Sequence, residues 1–234
     1  MLRPSVKAFR RDKVSEISSF GLQFFVVQLG SLFMLSSHNM IVSYWFGAAE
    51  VTPVNTVTTI FATGYSLIAA LLIPYWSRTT QAIEKGEFAW IRKTIKRVLI
   101  IAMVFIAGYI GVAVFYESLS ELWLGKRLDY QDGVIAATCA LYCVQTVVLC
   151  FSQFYYGMGN IKVYMYITIG QMVAMLPLTN LLIGTAGLGA ASVKIAATAL
   201  LLISAIVLPI LTYKKIREYE KKADHSQPEN TGEI

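Results

Sequence analysis

Apolar residues run in six long stretches along this chain, each interrupted only by isolated polar positions and bounded by glycines, prolines or charged residues. The stretches cover Ile17–Phe46, Val51–Ser77, Lys96–Tyr116, Gly133–Tyr156, Ile161–Ile183 and Gly189–Tyr213. A helix of about 20 apolar residues, rising about 1.5 Å per residue, matches the hydrocarbon thickness of a bilayer. Each stretch is therefore read as a transmembrane helix. The connections Gly47-Ala48-Ala49-Glu50, Gly157-Met158-Gly159-Asn160 and Gly184-Thr185-Ala186-Gly187, the last followed by Leu188-Gly189, are short and carry turn chemistry. Such turns place successive helices antiparallel, so the pattern predicts an all-α membrane protein built as one six-helix bundle over residues 17–213.

Composition sharpens this picture. Of the 234 residues 56% are hydrophobic and 15% charged, with a mean hydropathy of +0.58, against roughly 45–50% apolar and about 25% charged in soluble domains. A soluble enzyme is excluded by that balance. The net charge of +6 would suggest a nucleic-acid partner if it formed a stripe on a polar domain. Here the basic residues flank the apolar runs instead, so membrane lipids are the expected contact and nucleic acid is not. The basic start of the chain leads into an apolar run too long for a signal-peptide core, and no small-residue cleavage site follows it at the right distance; residues 1–16 are read as a cytoplasmic lead to the first helix.

The basic residues also fall on one side. Arg3, Lys7, Arg10, Arg11 and Lys13 precede the first span, and six more, from Arg78 to Arg97, lie between the second and third. Lys162 and five residues from Lys214 to Lys222 complete a set of seventeen. The opposite loops hold Lys126 and Arg127. By the retention of positive charge on the cytoplasmic side, both termini are expected inside. Residues 214–234 are polar and are expected to form a disordered cytoplasmic tail. Between the second and third spans, Phe88, Trp90, Ile91 and Ile95 alternate with Lys and Arg, so residues 78–95 read as an amphipathic cytoplasmic linker, either purely structural or with a calmodulin-like or lipid-sensing role. Trp45, Trp76, Trp90 and Trp123 lie near span ends and suit an aromatic belt.

No acidic residue lies near the middle of a span, so the sequence carries no intramembrane carboxylate relay. The two histidines, His38 and His225, are far apart, and no catalytic triad, metal-ligand or phosphate-loop pattern occurs. No enzymatic role, cofactor or metal is expected. Cys139, Cys143 and Cys150 share one helix face and read as small core residues.

Polar groups within the spans form stripes. Gln28, Ser31, His38, Asn39 and Ser43 fall within an arc of roughly 140° at 100° per residue, and Thr52, Asn55, Thr56, Thr59 and Thr63 make a similar face on the second span. Two readings stand side by side: interhelical hydrogen bonds that hold the bundle together, or the wall of a hydrated cavity. Lys194 lies some five residues from the outer end of the last span, about 8 Å deep at the helical rise. It can snorkel to the outer headgroups or face inward and seek an anion. Pro53, Pro74, Pro177 and Pro209 permit bends, as gates or as ordinary kinks.

Two adjacent segments carry a resemblance. LIPYWSRTTQAIEKGEFAWIRKTIKR, Leu72 to Arg97, resembles the eighth helix and following cytoplasmic linker of bacterial polysaccharide flippases of the Wzx type. These are relatives of the MATE exporters within the multidrug/oligosaccharidyl-lipid/polysaccharide (MOP) superfamily. FGLQFFVVQLGSLFMLSSHNMIVSYWFGAAEVTPVN, Phe20 to Asn55, is similar to the seventh helix and its turn into the eighth. YYGMGNIK from Tyr155 and LPL from Leu176 are weaker echoes. The resemblance spans nearly the whole chain but only the second of the family's two six-helix bundles.

The resemblance implies part of a flippase that moves undecaprenyl-diphosphate-linked oligosaccharide across the bacterial inner membrane, by alternating access, for surface polysaccharides such as O-antigen. His38, Asn39 and Asn55 would bind sugar, Arg78 and Lys194 would bind phosphate at opposite depths, and Tyr75 and Trp76 would stack on sugars or anchor the interface. A partner is implied as well, either a first-half bundle or a second copy of the chain. The alternatives are half of a MATE-type multidrug exporter, for which buried acids are expected, and a truncated or non-transporting remnant.

Overall fold

In a computed structural model, residues 11–125, 133–159 and 161–226 are described, and they form seven α-helices: α1 (Arg11–Phe46), α2 (Ala48–Glu84), α3 (Phe88–Val114), α4 (Tyr116–Leu124), α5 (Val134–Gly157), α6 (Lys162–Ala186) and α7 (Ala191–Ser226). All of them except α4 are long and apolar enough to cross a membrane. These six correspond one to one with the six apolar stretches. The bases Lys126 and Arg127, Arg3, Lys7 and Arg10, and residues 1–10 of the lead fall outside the described residues, as does the side chain of Trp123.

Helix ends follow local backbone chemistry. Gly47, at φ 93°, opens the turn between α1 and α2, and Gly125, at φ 68°, takes the left-handed position that ends α4. At the far end of α2 the backbone N–H of Lys85 still bonds to Gln81 O, then Gly86 at φ 69° reverses the chain and α3 begins at Phe88. The linker expected over residues 78–95 is therefore not a separate interfacial helix. Its first part continues α2 and its last part opens α3, because the amphipathic period runs unbroken through both while the reversal occupies only Lys85 to Glu87.

The tail requires a second correction. Residues 214–226, read as unstructured, continue α7. Ile216 is fully buried there, the Arg92 guanidinium grips Glu220 through Nε–Oε1 at 3.1 Å and Nη2–Oε2 at 2.6 Å, and the Tyr219 hydroxyl donates to Met158 O at 2.9 Å. These contacts supply what an isolated polar segment lacks. Residues 227–234 fall outside the described residues.

α5 is the central helix: 61% of its apolar window is buried, against 17–33% for the other five long helices. It packs on α2, α3 and α7, while α1 lies against α2 and α6, and α6 against α7. The order α1–α2–α5–α7–α6 thus closes a ring, with α3 outside it against α2 and α5. Two apolar cores occupy the two ends of the bundle, one around Phe61, Tyr142 and Val193, the other around Ile91, Phe154 and Leu208, with Tyr65 and Phe105 packed against both. Close approach between helices relies on missing side chains. A Cβ on Gly157 would lie 2.6 Å from Trp76 O and 2.7 Å from Thr79 Cβ, and one on Gly30 would lie 2.5 Å from Thr168 Cγ2.

Candidate functional site

The outward faces of α1 and α2 are polar along much of their length. Ser36, Asn39 and Ser43 are exposed there on α1, and Thr52, Asn55, Thr59, Thr63, Ser66, Ser77 and Thr80 on α2, whereas the exposed Gln28 and Ser31 line a cavity inside the helix ring. At 100° per residue each set stays on one side of its helix. The two faces adjoin, since Asn39 Nδ2 reaches Asn55 Oδ1 at 3.4 Å. Between them lies a groove of about 400 Å³ whose floor is completed by Tyr142 of α5 and Lys194 of α7.

The hydroxyls in this groove are oriented by the helix itself. Thr59 donates to Asn55 O at 2.8 Å, Thr63 to Thr59 O at 2.9 Å and Ser66 to Ala62 O at 2.9 Å. Each hydroxyl hydrogen is thus used within α2, and what the groove receives is oxygen lone pairs. The face offers acceptors, with Asn39 and Asn55 able to donate or accept.

Four of the five residues singled out from sequence line this groove: His38, Asn39, Asn55 and Lys194. Lys194 is buried, with 1% of its surface exposed, and its Nζ lies 3.2 Å from His38 Nδ1. It faces into the bundle and does not snorkel. The reason lies in its neighbours: Val193, Ala196 and Ala197 on the same helix are fully buried, which fixes the rotation of α7 and aims position 194 at α1.

A charged ammonium has only hydrogens to offer, so in the Lys194–His38 contact the imidazole accepts at Nδ1 and carries its own proton on Nε2. That Nε2 is buried without a hydrogen-bond partner. Were both residues charged, two unit charges at this separation would repel by about 5 kcal/mol at an effective dielectric constant of about 20. The pair therefore holds at most one positive charge while nothing negative stands beside it.

Arg78, the fifth residue, is elsewhere. It lies 23 positions beyond Asn55, about 35 Å along α2 by the helical rise. Its guanidinium pairs with Glu87 at 2.6 Å and stacks over the Trp90 ring at 4.6 Å. These contacts staple the α2–α3 turn. Tyr75 packs on Phe154, and Trp76 joins Phe24 and Tyr156 in an aromatic cluster with ring centroids 4.9–5.5 Å apart.

A second cavity, of about 370 Å³, lies inside the helix ring. Gln28, His38, Gln145, Ser152, Trp76 and Tyr156 are among its lining residues. His38 thus stands between the inner cavity and the α1–α2 groove, a placement that sequence reasoning missed. Tyr142 and Gln145 were missed too; Gln145 was visible as an amide in the middle of an apolar run, whereas Tyr142 gave no such signal. Both readings of the polar stripes find residues: within them Asn39 Nδ2 joins α1 to α2 through Asn55 Oδ1, and outside them another amide joins two helices in the same way. Gln171 Nε2 donates to Leu200 O at 2.7 Å and Ser204 Oγ at 2.8 Å, joining α6 to α7, and is structural. Asn39, Asn55, Thr59 and Thr63 face the open groove.

The three cysteines are free thiols on α5, Cys139 and Cys150 buried and Cys143 partly so. Among the described residues no group of three or more His, Cys, Asp or Glu side chains could hold a metal ion. No protein-family model matches the chain, and no match emerges among curated proteins or solved structures.

Proposed function

We propose that this chain forms one half of a flippase that carries undecaprenyl-diphosphate-linked oligosaccharide across the bacterial inner membrane for surface polysaccharide synthesis, with both termini cytoplasmic. The observation that carries this reading is the groove on the outer face of α1 and α2. It gathers one cation, one imidazole and two amides on a wall of hydroxyl oxygens, and in the proposed assembly a second bundle closes it. Sugar hydroxyls donate to the Thr and Ser oxygens and exchange hydrogen bonds with Asn39 and Asn55, while Lys194 meets the diphosphate. The lipid tail remains in the bilayer, which spares the charged headgroup full desolvation in hydrocarbon. In this reading Arg78 anchors the cytoplasmic turn and is not a phosphate ligand.

An exporter of cationic drugs is the weaker reading, because among the described residues the only charged side chain lining the groove is itself a cation. Assembly follows from the same surface. The hydroxyls of this face are satisfied within α2, but the single bond between Asn39 and Asn55 leaves further amide donors and acceptors, which are costly against hydrocarbon, so the α1–α2 face is covered by a first-half bundle or by a second copy of the chain.

The test is complementation. Cells lacking their own O-antigen flippase receive the chain alone or together with a candidate first-half protein, and surface polysaccharide is measured alongside crosslinking from Asn39→Cys. Restored polysaccharide is expected only with a crosslinked partner, a second copy included. Restoration by a strictly monomeric chain overturns the half-transporter reading, and no restoration in any pairing identifies a non-transporting remnant.

A further inference from the structure

The Lys194–His38 pair has two features that the groove's sugar-binding character does not explain. The ammonium is buried with an imidazole nitrogen as its partner and makes no ion pair among the described residues. The other imidazole nitrogen, Nε2, is buried without any partner. Resting on the flippase reading, we infer that this pair is a proton-coupled phosphoanion site: empty, it holds one positive charge at most, and on entry of a phosphoanion it takes up one further proton, so that anion and proton bind together.

The geometry carries the argument. In the empty state Nδ1 serves as the acceptor for Nζ. A second proton would occupy that lone pair, break the hydrogen bond that the ammonium makes with it and set two cations 3.2 Å apart. An anion beside the pair reverses both penalties, because its oxygens accept from Nζ and from the imidazole at once and its charge offsets the added one. The balance is simple: an imidazole and an ammonium, plus a proton from water and a dianion, give an imidazolium, an ammonium and the bound dianion. No redox partner or leaving group is involved.

No neighbouring side chain can substitute for the ligand. The titratable groups presented to the pair are the phenols of Tyr65 from α2 and Tyr142 from α5, with Cys139 and Cys143 further around α5. From α6 the nearest is Tyr164, at the far end of the inner cavity. Among the described residues neither cavity is lined by an Asp or Glu. The countercharge has to arrive with the ligand.

Sulfate is a suitable probe, since it keeps its charge through the neutral range and any proton taken up is then the protein's. The full chain is placed in nanodiscs of zwitterionic lipid and titrated calorimetrically with sulfate in two buffers of different ionisation enthalpy. Uptake of about one proton per bound sulfate is expected. His38→Gln is expected to bind sulfate without proton uptake, and Lys194→Gln to lose about tenfold or more in affinity. Repeating the titration in anionic nanodiscs at high salt, where the surface potential that repels sulfate is screened, separates the two sources of phosphate: weakened sulfate binding with proton uptake retained shows a lipid headgroup in the site, and unchanged binding assigns the site to an anion from water.

Sulfate binding without proton uptake by the unmodified chain, absence of binding, or uptake that persists in His38→Gln overturns the inference. The first two outcomes are read on the unmodified chain, so they stand even if a variant fails to fold. If proton uptake is absent while surface polysaccharide is restored in cells, only the coupling falls. If uptake is present without restored polysaccharide, the flippase reading falls instead.

Discussion

Lys194 and His38 lie 156 positions apart in the chain and touch at 3.2 Å inside the bundle, and this contact is what sequence inspection could not supply. The helical rise allowed Lys194 to reach either the headgroups or the interior, and only the rotation of α7, set by Val193, Ala196 and Ala197, decides between them. Asn39 and Asn55 were easier to find, because an amide within an apolar run is itself a signal. Burying such a cation weakens the fold. Replacing both members of the pair by apolar residues of similar size, His38→Leu with Lys194→Met, is expected to stabilise the detergent-solubilised chain by about 1–4 kcal/mol, the range found when buried charged groups are replaced by packed apolar ones. Lys194→Met alone leaves the imidazole Nδ1 unpaired and should fall below the double variant by about 1–3 kcal/mol. Thermal unfolding of the three proteins checks the order, and a double variant less stable than the parent would show that the pair contributes net stability.

At the scale of the helix, the six apolar stretches were legible because length and hydropathy are summed over many residues and single exceptions do not matter. Ends were less legible, since they depend on one or two positions. Gly86 turns the chain within a continuous amphipathic pattern, and the polar stretch after Tyr213 hides Ile216 and Tyr219 at helical spacing. The α7 extension is held at its rim by Arg92–Glu220, whose side chains are 43% and 30% exposed. A double-mutant cycle on that pair should return a coupling below about 1 kcal/mol that declines with salt. Helix contacts made through glycine are expected to matter more. Gly157→Ala forces a Cβ against Trp76 O and Thr79 and should cost about 1–3 kcal/mol by overpacking, whereas Gly108→Ala meets open space and should leave the unfolding temperature within a degree or two. Equal losses at both positions would mean that α2 and α5 are not in the close contact described.

At the scale of the whole molecule, the ends of α1 and α6 and the start of α2 lie at one face of the bundle, where Trp45 Nε1 donates to Asn180 Oδ1 at 3.1 Å, and the α2–α3 turn and the end of α7 lie at the other. In the proposed topology, the asymmetry of basic residues puts the second face inside. In a chain whose three native cysteines are replaced, cysteines at the exposed positions Ala49 and Thr185 should react with a membrane-impermeant maleimide from outside intact cells, and those at Lys85 and Lys222 only after permeabilisation; the reverse pattern would invert the assigned topology. What the bundle hides in its ring was not legible, because a closed arrangement of five helices arises from contacts that no single stretch encodes. The backbone-directed hydroxyls of α2 carry one more implication. Thr59 and Thr63, four positions apart, repeat the same contact about every 6 Å along the helix axis, and each offers a weak, interchangeable foothold. In the proposed function, a polyhydroxylated chain drawn across such a wall would meet shallow wells of similar depth and no deep trap, so friction would stay low and sugars of different stereochemistry would slide past it alike.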